Sequence, residues 1–498
     1  MNLPASMSER QRLLNDVTRF PEALRGKRIL LASESLGPIN GVSRTTTLLI
    51  LYLQKNGVEL KLVAPHYLGE KQQTLPVGYV RRLNGLPLPY SPELSVACPF
   101  RLDRVCGNFK PDLIYLASPA SVGFQVMLQA RALPNPPPIV ANFQTDLAAY
   151  SEIIFPSPLD KYGSWLLQIV QSYLFNHQCV ETVFYPSSPV RDYLVDTFVD
   201  DEKLVQLGRG VDTELFSPAY RDESLRAQIA PNGEVILLCV GRLAPEKGFD
   251  YLATIAVRLA KLRIPYKLVI VGGNKNPAVE QDVKNFFAPV ANKVHFTGFL
   301  EGAALARAYA SADVFLHCSV TETFGLVVLE AMACGLPVVA RAAGGPIDIL
   351  RIGLGGFLIA PNDESAFVEK AALLIQDQSI RTSMSTAARR LAESTTWEKI
   401  NNRVAWQLLH SLEQNEATST PPPEFSNTAG DWIYALACTI WVELKLTAAM
   451  GIVSLFWVIA VFPLMLHGNL MYPRRAERQA KQVFALGPAA ILTGIKSV

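Results

Sequence analysis

Two carboxylates and two cations carry the clearest chemistry in this sequence. In TETFGLVVLEAMACGLPVVA, residues 321–340, Glu322 and Glu330 stand eight positions apart. On one continuous helix they would differ by ~80° and ~12 Å of rise, an awkward separation for paired acid/base work. The pattern instead predicts Glu322 ahead of a helix, a first turn near residues 323–326, and Glu330 two turns in. Gly335 then stops the helix and Pro337 opens the next strand. Amides at Phe324, Gly325 and Leu326 would point outwards and make an anion site, and Gly325 would let the backbone come close to the anion. A second stretch, VGRLAPEKGFDYL at 240–252, places Arg242 and Lys247 just past an apolar run. Arg forks a phosphate, whereas Lys supplies a point charge. Two cations beside a helix N-terminus suit the two negative charges of a sugar-nucleotide diphosphate.

Residues of this kind need strands to hold them. RILLAS (28–33) is an apolar run fitting a buried parallel strand, followed by the loop ESLGPINGVS, a helical register over 44–55, Gly57 as a stop, and VELKLVAP as the next strand. DLIYLAS (112–118) and PIVANFQ (138–144) continue the alternation. The same grammar restarts with EVILLCVGR (234–242), YKLVIVGG (266–273), KVHFTG (293–298), DVFLHCS (313–319) and LPVVAR (336–341). Alternating strands and helices imply parallel sheets with crossover helices. Arg242 and Lys247 thus leave the carboxyl end of a strand, where open α/β sheets bind their ligands. A polar break at 216–232 separates the halves, so two doubly wound α/β domains are expected.

In boundaries, this gives a polar lead at 1–26, an amino-terminal domain at 27–218, a carboxyl-terminal domain at 219–396, and a closing helix at 397–413. The Pro/Ser/Thr-rich linker 414–430 and an apolar tail, 431–498, follow. Ile400, Val404, Leu408 and Leu412 recur at helical spacing in the closing helix. The tail differs in kind. Residues 446–466 hold no ionisable group and, at helical rise, span ~31 Å, about one hydrocarbon core. A shorter apolar run, 432–442, precedes them, separated by Glu443 and Lys445, and Arg474, Arg475, Arg478 and Lys481 follow. Two topologies fit: a single pass, which opposes the positive-inside tendency, or a re-entrant hairpin kinked near Pro463.

Composition agrees with a globular chain that meets lipid. Of 498 residues, 18% are charged and 49% hydrophobic, and the net charge is +2, so neither disorder nor the basic face of a nucleic-acid binder is indicated. Seven scattered cysteines without a CxxC pair argue against a disulfide framework or a zinc ribbon, and fit reduced thiols. The first 26 residues contain no signal-peptide run, so the catalytic bulk is expected in the cytosol, attached to membrane. Asp-x-Asp is absent and the six histidines form no close pair, so neither a metal nor a cofactor is expected.

Together these stretches resemble the family 4 retaining glycosyltransferases of the GT-B fold, over roughly residues 27–413. The likeness rests on Glu322 and Glu330, the GR…EKG stretch, the GRGVDTELFSP junction (208–218) and the NGVSRT loop (40–45). FKPDLIYLASPASVGF and NFQTD look similar to lipid-directed members, such as the sulfoquinovosyl and phosphatidylinositol mannosyl transferases. The resemblance implies two Rossmann-like domains facing across a cleft and a retaining transfer from a UDP- or GDP-linked sugar. Arg242 and Lys247 would hold the diphosphate and Glu330 the ribose. Glu322 would bind donor-sugar hydroxyls, with Phe324, Gly325 and Leu326 offering amides. Gly298, Phe299 and Leu300 would flank the base, and Gly41 would open the helix that caps the phosphates. Asn40, Gln144 and Asp146 would lie on the acceptor side. Many relatives carry His where Gln144 stands, and Gln does not titrate, so it cannot be a general base. The implied mechanism tolerates this if the leaving phosphate takes the acceptor proton. The expected activity is glycosyl transfer to a lipid or other hydrophobic acceptor in glycolipid synthesis. A soluble acceptor with the tail as an anchor, and a catalytically silent membrane scaffold, are the alternatives.

Overall fold

The computed structural model describes residues 19–37, 41–66, 77–88, 91–144, 159–244, 247–274, 277–320, 322–350, 355–418 and 429–458. Asn40, Asp146, the polar lead up to residue 18, most of the linker and residues 459–498, with Pro463 and the basic run, lie outside them. The chain forms two compact units, one from residues 21–183, 197–203 and 407 onward, the other mainly from 184–196 and 204–406.

The central apolar runs become strands because both of their faces are covered. The first sheet has seven, in the order β3-β2-β1-β6-β7-β8-β9. They are β1 (Arg28–Ser33), β2 (Glu59–Pro65), β3 (Val80–Leu83), β6 (Leu113–Ala117), β7 (Ile139–Asn142), β8 (Val180–Tyr185) and β9 (Leu204–Gln206). All of β6 and β7 is buried. A side hairpin pairs β4 (Gly85–Leu88) with β5 (Ser91–Ala97). Three helices of the first unit matter below: α1 (Gly41–Lys55), α2 (Ser121–Ala130) and α3 (Leu159–Phe175).

The second sheet runs β12-β11-β10-β13-β14-β15, parallel throughout. Its strands are β10 (Val235–Val240), β11 (Tyr266–Val271), β12 (Val294–Gly298), β13 (Val314–His317), β14 (Val338–Arg341) and β15 (Gly356–Ile359). Helices α4 (Phe249–Lys261) and α5 (Leu326–Ala333) follow β10 and β13. Phe249, Phe287, Phe315 and Phe367 are no more than 2% exposed, and each contributes about 1.5–3 kcal/mol through burial. The junction stretch belongs to this core, and the polar break begins inside it, at Phe216. Val211 and Phe216 are buried in it, and the Phe216 ring meets Tyr309 edge-on with centroids 5.6 Å apart.

Helix α6 (Trp397–Thr418) closes the fold and buries Ile400, Val404, Leu408 and Leu412, running five residues past the expected end. In the tail, α7 (Ala429–Phe456) runs from the shorter apolar run through Glu443 and Lys445 into the first half of the longer one, whose remainder lies outside the described residues. Arg101 donates to Glu443 at 3.0 Å. Leu446 and Ala449 are buried beside it, and Trp457 donates from Nε1 to the Ala97 carbonyl at 2.9 Å. Residues 432–456 are long and apolar enough to cross a bilayer.

Candidate active site

The chain leaves β10 to build β11 and β12 on one side of it, then returns to lay β13 on the other. Loops diverge at such a switch point and open a crevice at the carboxyl ends of the strands. Arg242 and Lys247 follow β10; Glu322 follows β13. Lys247 donates from Nζ to Glu322 Oε2 at 2.8 Å, with the two side chains 25% and 21% exposed. Arg242 stays exposed.

Backbone hydrogen bonds hold these loops. The Gly241 amide donates to Val271 O at 3.0 Å, Gly272 N to Gly298 O at 2.9 Å, and Leu243 N to Gly273 O at 3.2 Å. The ends of β10, β11 and β12 are thereby stitched together, which ties the Gly298–Phe299–Leu300 turn to the Arg242 loop. Phe299 is 64% exposed and Leu300 partly buried. Gly248 opens α4 at φ +71°, against the Cys318 carbonyl, where a Cβ would collide.

The Glu322 segment is held from several sides. Its carbonyl accepts from Gly345 N at 2.9 Å, and Ser187 Oγ donates to Thr323 O at 2.8 Å. A Cβ at Gly344, whose φ is +61°, would strike the Glu322 carbonyl, and one at Gly345 would strike Phe324 O. Phe324, 9% exposed, packs against Gly208 and lies 5.9 Å from the buried Arg209 guanidinium. Ser188 braces the same region through the Asp348 carboxylate, its Oγ donating at 2.6 Å.

Helix α5 starts later than the spacing predicts. Gly325 is its cap at φ +97°, so the helix opens at Leu326 and Glu330 stands one turn in rather than two. A left-handed cap is what glycine permits and other residues resist. Among the described residues, no side chain caps the amides of Gly325 and Leu326. Glu330 is 5% exposed, and its Oε2 accepts from the Tyr309 hydroxyl at 3.1 Å. At the end of β13, His317 is 4% exposed with Nδ1 unpaired. Burial pushes its pKa down to about 4, opposed by Glu322 and aided by Lys247. It is therefore a neutral imidazole at pH 7.

Arg242, Lys247, Glu322, Phe324, Gly325, Leu326, Glu330 and the Gly298–Leu300 turn all belong to the second unit. Gly41, first residue of α1, and Gln144, 7% exposed after β7, belong to the first. The supporting residues Gly344, Gly345, Ser187 and Tyr309 escape motif reading. Only the double glycine of AAGGP, right after a strand, signals them in sequence. Among the described residues, no group of three His, Cys, Asp or Glu is placed to hold a metal ion.

Comparison with known proteins agrees with this geometry. Residues 221–391 match the family described as Glycosyl transferases group 1, and residues 39–215 match Glycosyltransferase Family 4. A GDP-mannose-dependent alpha-mannosyltransferase of Corynebacterium glutamicum is 33% identical over 76% of this chain and 88% of its own. A sulfoquinovosyl transferase of Arabidopsis thaliana is 31% identical over 77% of this chain and 74% of its own. The fold is that of solved GT-B structures. The Anabaena HepE protein in complex with UDP and glucose has a TM-score of 0.58 at 20% identity, covering 76% of this chain and 99% of that one. Sucrose-phosphate synthase of Thermosynechococcus elongatus has 0.60 at 20% identity, covering 79% and 100%. With both family halves present in order and the Lys247–Glu322 pair at the switch point of the second sheet, the chain is a member of the family 4 glycosyltransferases.

Proposed function

We propose that this glycosyltransferase moves a sugar from a UDP- or GDP-linked donor to a lipid or other hydrophobic acceptor, with retention at the anomeric carbon. The observation that carries the reading is the Lys247–Glu322 pair at 2.8 Å beside the uncapped start of α5. Positive charge and backbone amides converge there, as a departing diphosphate needs. In this reading Arg242 and Lys247 neutralise the diphosphate, and Gly325 and Leu326 offer amides to its oxygens. Glu322, fixed by Lys247 and Gly345, binds sugar hydroxyls. Glu330, oriented by the Tyr309 hydroxyl, meets the ribose, and Gly298–Leu300 lines the base. Gly41, Asn40, Gln144 and Asp146 keep the roles that the family resemblance implies for them.

The bond from the anomeric carbon to the phosphate oxygen breaks as the acceptor hydroxyl oxygen forms the new one on the same face. The acceptor proton passes to the leaving phosphate, so Gln144 is not required to titrate. The enzyme's share is positioning and electrostatic stabilisation. With the diphosphate's charge met by side chains and amides, transfer is expected to survive EDTA.

The lipid class of acceptor is supported by α7 and by the sulfoquinovosyl transferase among the relatives. We place the catalytic units on the cytosolic face. The test is transfer of radiolabelled sugar from a panel of UDP- and GDP-sugars into detergent-dispersed lipid. Label in the organic phase that depends on Glu322 supports the reading. Label confined to the aqueous phase, despite nucleotide release, moves the search to soluble acceptors.

A further inference from the structure

The first unit carries an apolar surface that sugar transfer does not use. On α3, Tyr162, Trp165, Ile169 and Tyr173 are 59%, 53%, 45% and 56% exposed. Helical geometry puts them within an arc of about 80°, one stripe along the helix. Leu174 and Phe175 of the same helix are buried. At the end of the stripe stands Phe198, 81% exposed and held at φ +61°. Asn176 fixes it, donating from Nδ2 to the Phe198 carbonyl at 2.6 Å and accepting from Asp200 N at 2.8 Å. A left-handed backbone at a bulky residue persists only where its surroundings impose it. Here they hold an aromatic ring in solvent. Arg131 lies over the Tyr173 ring at 3.8 Å and lines a shallow depression with Tyr173 and His177.

Helix α7 shows what the surface faces. Its exposed apolar side chains, from Trp432 to Phe456, spread over roughly two-thirds of the helix circumference. Only 17% of its most apolar window is buried. A protein partner covers one stripe of a helix, whereas a helix apolar almost all round is satisfied by a core or by hydrocarbon. Tyr and Trp, which recur on α3 and α7, favour the membrane–water interface. Glu443 and Lys445 near the middle of α7 oppose a transverse position, because charge at a bilayer centre is costly. Arg101, Leu446, Ala449 and Trp457 hold the helix along the unit instead. Both α3 and α7 pack on α2.

We propose that the first unit docks on a bilayer as an in-plane surface. The α3 stripe, Phe198 and the exposed side of α7 enter the interfacial layer, and Arg131 meets anionic headgroups. This rests on the lipid-acceptor reading for its purpose, and adds the mode of attachment: α7 lies along the membrane rather than across it.

The full chain, with Cys98→Ser and Cys438→Ser, is labelled with an environment-sensitive fluorophore at Phe198→Cys, or at Ile433→Cys, Leu444→Cys or Leu455→Cys. Vesicles of phosphatidylcholine and phosphatidylglycerol carrying depth-graded quenchers are then added. The expected result is a blue shift and shallow quenching at all four positions, with none at Tyr220→Cys in the other unit. A label at 198 that stays in water on vesicle-bound protein overturns the proposal, as does deepest burial at 444 with shallow ends. Trp165→Ser with Phe198→Ser should lower transfer to vesicle-embedded acceptor about tenfold while leaving nucleotide release in detergent unchanged, as loss of interfacial aromatic area implies. Equal transfer on vesicles overturns it. Insertion of the labels without any transfer to lipid supports the surface and sinks only the lipid-acceptor reading.

Discussion

Two switch points, built alike, end differently. In the second unit the loops after β10 and β13 present Lys247 and Glu322, and α5 starts on a glycine with no side chain over its amides among the described residues. In the first unit the matching loops after β1 and β6 close on themselves. Glu34, just past β1, accepts from Ala120 N at 3.0 Å, Val122 N at 2.6 Å, Gly123 N at 3.0 Å and Ser121 Oγ at 2.8 Å. A carboxylate of the chain itself thus occupies the start of α2. Burial pushes the Glu34 pKa up, and the Gly123 amide and its neighbours pull it back. One topology thereby yields a helix start closed by the chain's own carboxylate and another that, in the function proposed above, receives the donor's diphosphate.

The largest expected effect sharpens that contrast. Glu322→Ala should cut transfer about 10²–10³-fold with little change in melting temperature, the size of loss seen when one stabilising group leaves an active site. Loss of folding in this variant would break the contrast. Gly345→Ala comes next. Its Cβ would press on Phe324 O and displace the Glu322 segment, at a cost of about 2–3 kcal/mol in kcat/KM. Unchanged kinetics would show that the segment is not held where it matters.

Glu34→Ala should act on the other side of the comparison. It strips acceptors from three amides and a hydroxyl, and should lower unfolding free energy by about 2 kcal/mol in urea titration. Transfer by the folded fraction should stay near normal; a selective loss of turnover would make Glu34 part of the site.

The last expected effect is a pH dependence of opposite sign in the two units. His317 is held neutral, so the unfolded chain binds more protons between about pH 6.5 and 4, and stability falls on acidification. At pH 5 this amounts to about 2 kcal/mol. Glu34 has a raised pKa, so its contribution is lost as pH rises and grows as pH falls. Hydrogen exchange should therefore show β13 and the Glu322 segment losing protection at pH 5, while the start of α2 keeps its own. Equal loss in both places would refute the assignment.

What sequence pattern reveals here is local. RILLAS, VILLCV, YKLVIV and LPVVAR announce themselves because strands buried on both faces need uninterrupted apolar residues. Glu322, Lys247 and Arg242 stand out because they lie in the loops that leave such strands. Glu34 is not, since its partners lie 86–89 positions away. Glu330 stands one turn into its helix rather than two because the left-handed cap at Gly325 delays the start, and its Tyr309 partner sits on another element. Arg101 likewise reaches Glu443 of α7 from 342 positions away, which no window of the tail discloses.

The interleaving of the chain between its units also sets the order in which the protein can be finished. The first unit takes residues 407 onward as its own, with Lys27 meeting Glu416 at 3.4 Å and Leu408 and Leu412 buried. On the ribosome, where segments emerge from the amino terminus forward, the β-strands that appear first wait for helices made last. The second unit is complete at residue 406 and can fold while the earlier-made one is still missing a wall. A nascent chain exposed only as far as residue 406 would hold a closed second unit while the first still lacks its last helices, and the first is the stretch that chaperones would have to shield.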